Sequence, residues 1–504
     1  MRYLWLLIGT FVFLPTTSIS QKKMDIGVDY LILSNKRLAN NATWQQVIKI
    51  LQKRHDTQVL YYSFHPSELL QELQNNRPRY VAVVEEAERL TSDFIIKMNQ
   101  LSRRIDNDIY MDFIWGIITG FDAESAKLLL QTSDQPLVLN RVMETINDYN
   151  LFADSEYFEE MLVLQFSHIL ESKIDEPQKL QRITDYNEEY NVTTFCKYFQ
   201  QFQPNLLIST PRANEGEWNP ASTRVGWEYL IIKNRELNIW HEKDKQMQRL
   251  LPVNLKGSVR FHLTLGGSAI DPWLGEKSIA LGWIHNAEIG GMIGYTFGGR
   301  PYYSGWGTLK NLVASPGRYT CAEALFLAQQ QLLHAQYIYN PALVENECAL
   351  PVNSSIMSEE SKRLRQLTGS EIRPEHIYAM CERDRVAYLG DPRWNVRVAP
   401  KEGKSDYTIT GKKKKKKYIL TIRTGSSFSM KQIQGNHFRE DCGEMTAYLN
   451  LPTLPLTHLF PVRLRNPRLA KKQPWTAMVD ENGIMLYEFD FKPNSTYKIV
   501  LKTN

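Results

Sequence analysis

The chain has 504 residues, of which 43% are hydrophobic and 23% charged, a globular composition long enough for two or more domains around large cores. Its formal net charge of +5 is too small over this length to argue for nucleic acid, so that partner class is excluded as an expectation. Five cysteines (Cys196, Cys321, Cys348, Cys381 and Cys442) are too sparse for a disulfide scaffold and lack the paired spacing of a zinc site, so no metal and no cofactor is expected.

Residues 1–20 carry Arg2, an apolar run from Tyr3 to Leu14 and then small polar residues, the pattern of a signal peptide cleaved before Gln21. The expected location is therefore secreted, periplasmic or at the cell surface. No cysteine follows the apolar run to carry a lipid anchor, and no later stretch reaches the roughly 20 apolar residues of a transmembrane segment. Export permits one or two disulfides and leaves an odd thiol over.

From Tyr30 onward, apolar runs such as YLILS, QVLYY and YVAVV (Tyr80–Val84) alternate with amphipathic helical patterns around Trp44–Leu51 and Ser67–Leu73. This rhythm, with a further strand over 113–118, predicts an α/β fold with a mostly parallel sheet flanked by helices. Glu85 and Glu86 read as a solvated acidic helix start, and Asp108, Tyr110 and Asp112 as the entrance to a strand. Residues 121–200 read as mostly helical, with Ala126–Leu130 and Phe158–Ile169 as apolar faces and His168 on the second.

A strand is expected over 205–210, then a turn-rich stretch and a hairpin from 227–232 and 237–240. The centre of the chain is the run from 258 to 265, where Val259, Phe261, Leu263 and Leu265 alternate with more polar residues and stop at Gly266, Gly267 and Ser268. A buried strand ending in a glycine turn places residue 268 outside the carboxyl end of a sheet, where ligands of open α/β sheets bind. A helix over 279–284, a strand over 292–295 and a long helix over 321–333 follow. Residues 340–380 read as a polar connection, and Leu389-Gly390-Asp391-Pro392 as a turn after the strand 386–389. From Tyr407 only short strands remain, which predicts a C-terminal antiparallel β-sandwich; the lysines Lys412–Lys417 read as a solvated hairpin loop.

The order LTLGGSAID, SIALGWIHNAEIGGMIGYT, GWGTL, PGRYTCAEALFLAQQQLL and the Leu-Gly-Asp-Pro group resembles the gingipain-type cysteine peptidases with a caspase-like fold. The resemblance covers most of residues 25–400, closely around Ser268, Trp306 and Gly390 and loosely elsewhere. It implies that the nucleophilic cysteine of that family falls on Ser268. The general-base histidine falls on Arg212, in the stretch Ile208-Ser209-Thr210-Pro211-Arg212. Gly266, Gly267 and Trp306 would frame a pocket for a protein or peptide ligand. The implied organisation is a signal peptide over 1–20, an N-terminal α/β part over 21–200, a catalytic-type subdomain over 201–400 and an Ig-like sandwich over 401–504.

Cysteine catalysis needs a thiolate beside an imidazole, whereas a serine needs a strong neighbouring base and an arginine stays protonated. A catalytically degenerate homologue acting as a binding or assembly module is therefore expected. The alternatives are an active hydrolase using Ser268, with His262 or His241 as base, and a surface or secretion-linked interaction protein. His262 stands six residues before Ser268 on an alternating strand, so the two do not readily meet.

Overall fold

The computed structural model describes residues 27–145, 162–166, 180–183, 192–209, 212–214, 216–219, 228–241, 251–256, 259–296, 303–347, 354–400, 406–430, 433 and 455–504. The expected signal peptide, His168, Cys348 and Cys442 lie outside the described residues.

One sheet of eleven strands runs through the first four hundred residues. In chain order these are β1 (Tyr30–Asn35), β2 (Val59–Tyr62), β3 (Tyr80–Val84), β4 (Ile114–Ile118), β5 (Arg141–Thr145), β6 (Leu162–Phe166), β7 (Leu180–Ile183), β8 (Leu206–Ser209), β9 (Phe261–Ser268), β10 (Gly291–Tyr295) and β11 (Val386–Gly390). Their spatial order is β2-β1-β3-β4-β11-β10-β9-β8-β5-β6-β7. The first four are mutually parallel, as are β10, β9, β8, β5, β6 and β7. The two blocks meet at β11, which runs antiparallel to β10 and touches β4 through Leu389 and Ile117. The mostly parallel, helix-flanked sheet expected from the sequence is thus present.

β1, β3, β4, β10 and β11 are buried at every position, as continuous apolar runs in a covered parallel sheet should be. Helices carry the complementary stripe: Trp44, Val47, Ile48 and Leu51 of the helix Ala42–His55 recur at helical spacing and are all buried. That helix is capped at both ends, by the Asn41 side chain on the amides of Thr43 and Trp44 and by a left-handed Asp56. Its last residue, His55, stacks on Tyr30 and lies 2.7 Å from Asp391, which also accepts from Tyr30 and Arg54. The Leu-Gly-Asp-Pro turn therefore does more than reverse the chain, because the buried Asp391 ties the first helix and first strand to the last strand of the sheet.

Several sequence expectations are corrected. Residues 121–200 are not mainly helical: between the helices Ala123–Thr132 and Val192–Phe202 the described residues include β5, β6 and β7, which extend the sheet beyond β8. The run Leu162–Phe166 is too short for periodicity to separate a buried strand from a helix, and the parallel neighbour decides it. Glu85 is fully buried, accepting from the Tyr62 hydroxyl at 2.6 Å and pairing with Arg89 at 3.2 Å, because it ends a strand whose edge is covered. Residues 340–380 contain the helices Ser354–Thr368 and Pro374–Arg383 around a small core of Leu343, Leu364, Ile372 and Met380. The lysines 412–417 are exposed positions of a tight hairpin, not a loop: Lys414 pairs with Lys417 and the turn is made at Lys415, whose φ is 50°.

From Tyr407 the chain forms a four-stranded sheet, with strands Tyr407–Lys414, Lys417–Thr424, Thr496–Lys502 and Arg468–Leu469, and a three-stranded sheet of Leu456–Leu459, Gly483–Tyr487 and Thr476–Val479. Both are antiparallel and share a separate core of Tyr418, Leu420, Ile422, Phe460, Ile484 and Ile499. The sandwich docks on the α/β part through buried polar contacts: Asn482 donates to the carbonyl of Asp112, the Tyr319 hydroxyl to that of Thr457, and Gln330 to the Asp480 carboxylate at 2.7 Å. Tyr110, His334 and Tyr487 stack beside them.

Two consequences are measurable. Burial pushes Asp112 up to about 9 and Asp480 to about 7 from an unfolded value near 3.8, so both bind protons in the native state that the unfolded chain has released. Their contribution is fully present below pH 3.8 and is lost as pH rises toward the folded values, by up to about 1.4 kcal/mol per pH unit for each group between its unfolded and folded values. Denaturant titrations should show this as a difference: the stability of wild type should fall relative to that of Asp480→Asn, which keeps the shape, as pH rises from 4 to 7. Separately, a Cβ on Gly305 would meet the Leu265 Cα and the Thr264 carbonyl oxygen at 2.9 Å. Gly305→Val should cost about 2 kcal/mol in the denaturation midpoint analysis.

Candidate functional site

β9 lies between β8 and β10, parallel to both, with Phe261 opposite Leu206 on one side and Gly291 on the other. Phe261, His262, Leu263, Thr264 and Leu265 are all buried, so the strand can meet a ligand only at its carboxyl end. There the pairing with β10 becomes irregular. Leu263 pairs with Ile293 and Ser268 with Tyr295, so five steps along β9 match two along β10. The excess is a bulge, and Gly267, at φ 76°, supplies the left-handed residue that returns the chain to register.

Four contacts hold this bulge. The Thr264 hydroxyl donates to the Ile293 carbonyl at 3.0 Å, and the Ile270 amide to that of Tyr295 at 2.8 Å. The Tyr295 hydroxyl accepts from the Gly305 amide at 2.5 Å, while Gly305 itself lies against the backbone of Thr264 and Leu265. Gly305 belongs to the helix Tyr303–Ala314, so the backbone of Trp306, the next residue, is carried beside the Gly266-Gly267-Ser268 turn; its side chain lies outside the described residues. Ser268 is half-buried, whereas Ala269 and Ile270 after it are fully buried.

Asp271 closes the loop. Its Oδ1 accepts from the Ser278 hydroxyl at 2.8 Å, and Ser278 in turn caps the helix Ile279–Asn286 at the Leu281 amide. Its Oδ2 is buried with no hydrogen-bond partner among the described residues, and burial pushes the carboxyl up to about 6. The segment between, Pro272–Lys277, turns at Gly275 and packs on the turn Ala87–Arg89 that follows β3. Ser92 and Thr296, after β3 and β10, are joined by a 2.8 Å hydrogen bond. Sequence reasoning passed over Asp271 because an isolated aspartate in SAID has no pattern to distinguish a buried cap from a turn residue.

Arg212 opens a second sheet, antiparallel, in the order Arg212–Asn214, Glu217–Asn219, Glu228–Lys233, Glu236–His241 and Leu251–Pro252. The predicted hairpin is the central pair of this sheet. Arg212 follows the end of β8 by three positions, and its strand packs against β9, so the backbone of residue 212 lies beyond the end of β8 while residue 268 ends the neighbouring β9. The side chains of Arg212 and His241 lie outside the described residues.

His262 is not available to Ser268. It is fully buried, its Nε2 lies 2.8 Å from the Ser209 hydroxyl, and Trp218 and Trp283 stand edge-on to its ring. With no charge nearby to favour the imidazolium, burial pulls its pKa down to about 3. Ser209 pairs in register with Thr264, deep in the sheet. The Ser209–His262 pair is thus a neutral core contact. Among the described residues no imidazole or carboxylate bonds the Ser268 hydroxyl, and no group of three or more His, Cys, Asp or Glu side chains is arranged to hold a metal ion. Cys196 and Cys321 are buried and in no disulfide, the thiol of Cys321 pushed up by desolvation. Cys381 is disulfide-bonded to a partner outside the described residues.

No protein family and no curated protein matches the sequence. Solved structures similar to this chain include the Arg-specific cysteine proteinase gingipain R, at 9% identity and a TM-score of 0.40 over 93% of this chain and 92% of that one. A complex of the pro- and mature domains of RgpB from Porphyromonas gingivalis gives 8% identity and a TM-score of 0.38 over 94% and 93%. A structure described as a protease gives 10% identity and 0.40 over 94% and 95%.

Proposed function

We propose that this chain is a secreted homologue of the gingipain- and caspase-like cysteine peptidases that has lost peptidase chemistry and works as a binding or assembly module for a protein or peptide. The observation that carries the reading is the residue at the end of β9: a half-buried serine occupies the bulged, glycine-built turn to which the motif resemblance assigns the thiolate. Three further facts support it. The stretch aligned with the general base ends in Arg212, whose guanidinium cannot accept a proton at neutral pH. The nearest histidine in sequence, His262, is held neutral in the core, and the two described cysteines outside a disulfide are buried. The bonded state of Cys381 agrees with an oxidising, extracytoplasmic location.

An arginine recognises a carboxylate through two parallel hydrogen bonds, which suits a peptide terminus or an acidic side chain. Binding without turnover then requires only the pocket, not the dyad.

Restoration is the direct test. Wild-type protein should release no product from a panel of fluorogenic peptides, and alkylation of its thiols should change nothing. Ser268→Cys combined with Arg212→His should give thiol-dependent cleavage well above background, because thiolate attack and proton donation to the leaving amine would again come from the two strand ends. Wild-type cleavage abolished by Ser268→Ala would replace the proposal with a serine hydrolase; cleavage blocked by alkylation would point to one of the five cysteines.

A further inference from the structure

A cavity remote in sequence from Ser268 lies between the α/β part and the sandwich. It encloses about 610 Å³. From the α/β part it is lined by Asp29, Arg79, Arg318, Glu323, Arg393 and Arg397, and from the sandwich by Ile409, His458, Phe460 and Arg463. Five guanidinium groups thus face one space that holds two carboxylates, leaving a formal excess of positive charge inside a partly buried volume.

The internal contacts leave that excess standing. Arg79 and Arg463 are each fixed by backbone carbonyls, Arg79 by Phe460 at 2.6 Å and Arg463 by Arg77 at 2.6 Å and Pro78 at 3.1 Å. Carbonyls orient a guanidinium but cancel no charge. Arg463 also approaches Glu481 at 3.0 Å, yet its Nε is buried with no hydrogen-bond partner among the described residues. Arg318 lies over the Tyr407 ring, and its Nη1 is likewise buried and unpartnered. Arg393 pairs with Asp29 at 2.7 Å. Arg397 reaches Glu323 only at 3.6 Å, and that carboxylate already accepts from the Tyr80 hydroxyl and the Thr320 amide. His458 adds no compensating negative charge, being bonded to the Tyr418 hydroxyl. Burying unpaired donors and like charges costs free energy, and oxyanions are the groups whose geometry matches several guanidinium forks at once.

We propose that this cavity is a binding site for a small polyanion, with at least two carboxylate or phosphate groups, whose oxygens bridge arginines of the α/β part and the sandwich. Its volume is that of a small-molecule pocket. Because both bodies supply ligands, an occupied cavity ties them together, and binding favours the docked arrangement by mass action.

Calorimetric titration of the full chain at low salt, with citrate in one arm and inorganic pyrophosphate in the other, tests this. At least one should bind saturably with one site and a dissociation constant below about 1 mM, weakening as salt is raised, and should raise the melting temperature. A preference for citrate assigns a polycarboxylate and a preference for pyrophosphate a phosphorylated ligand. Arg397→Gln and Arg393→Gln, both at partly exposed side chains, should weaken binding about tenfold or more, whereas the exposed Arg468→Gln should not. Saturating anion should raise the melting temperature of wild type but not of the two cavity variants; a purely structural arginine would instead lower the melting point equally with and without anion. Absence of saturable binding in both arms, or equal binding by wild type and the cavity variants, overturns the proposal.

Discussion

The constraint on which this structure depends is that β9 is enclosed on every side except its carboxyl end. Its two edges are taken by parallel neighbours, and its side chains from Phe261 to Leu265 are buried. A strand so enclosed has no free backbone groups along its length, so anything it offers to a ligand must come from the turn that leaves it. That turn cannot run straight on, since the chain has to re-pair with β10 at Tyr295 and then descend into the buried Ala269 and Ile270. The bulge with Gly267, the close approach of Gly305 and the Asp271–Ser278 cap all follow from this requirement. They present residue 268 in a fixed place whatever its chemistry.

Enclosure also decides what histidine can do here. On an exposed edge, His262 could titrate near neutral pH and act as a base; packed between Trp218 and Trp283 it stays neutral and serves as a polar contact for Ser209. The separation of a structural imidazole from a half-buried hydroxyl is what makes the binding reading more economical than the catalytic one.

The second body is held by a different balance. Its interface packs Tyr110 against Met478, Met485 and Tyr487 and adds buried polar contacts, and the charges are sorted: the carboxyls of Asp112 and Asp480, pushed up by burial, lie in one region and clustered guanidinium groups in another, with Arg463 near both. Such an interface responds to solution conditions, because proton binding and anion binding each change the cost of bringing like charges together. A sandwich attached in this way can report on what occupies the interface, which is consistent with a module whose task is recognition.

The amino-acid sequence by itself determined the elements whose patterns are local. The buried runs Tyr80–Val84 and Gly291–Tyr295, the alternating strand ending at Gly266-Gly267-Ser268, the hairpin of the second sheet and the change to strands alone after Tyr407 are all readable because periodicity and turn residues are written within ten positions. The tertiary structure decided what depends on neighbours distant in the chain. It made Leu162–Phe166 a strand by giving it parallel partners, buried Glu85 by setting Tyr62 and Arg89 against it, turned the helices of 354–383 into a packed unit, and assembled an arginine cavity from residues more than four hundred positions apart. Burial and charge neighbourhood are properties of three-dimensional contact, and no pattern along a chain carries them until the layers have closed.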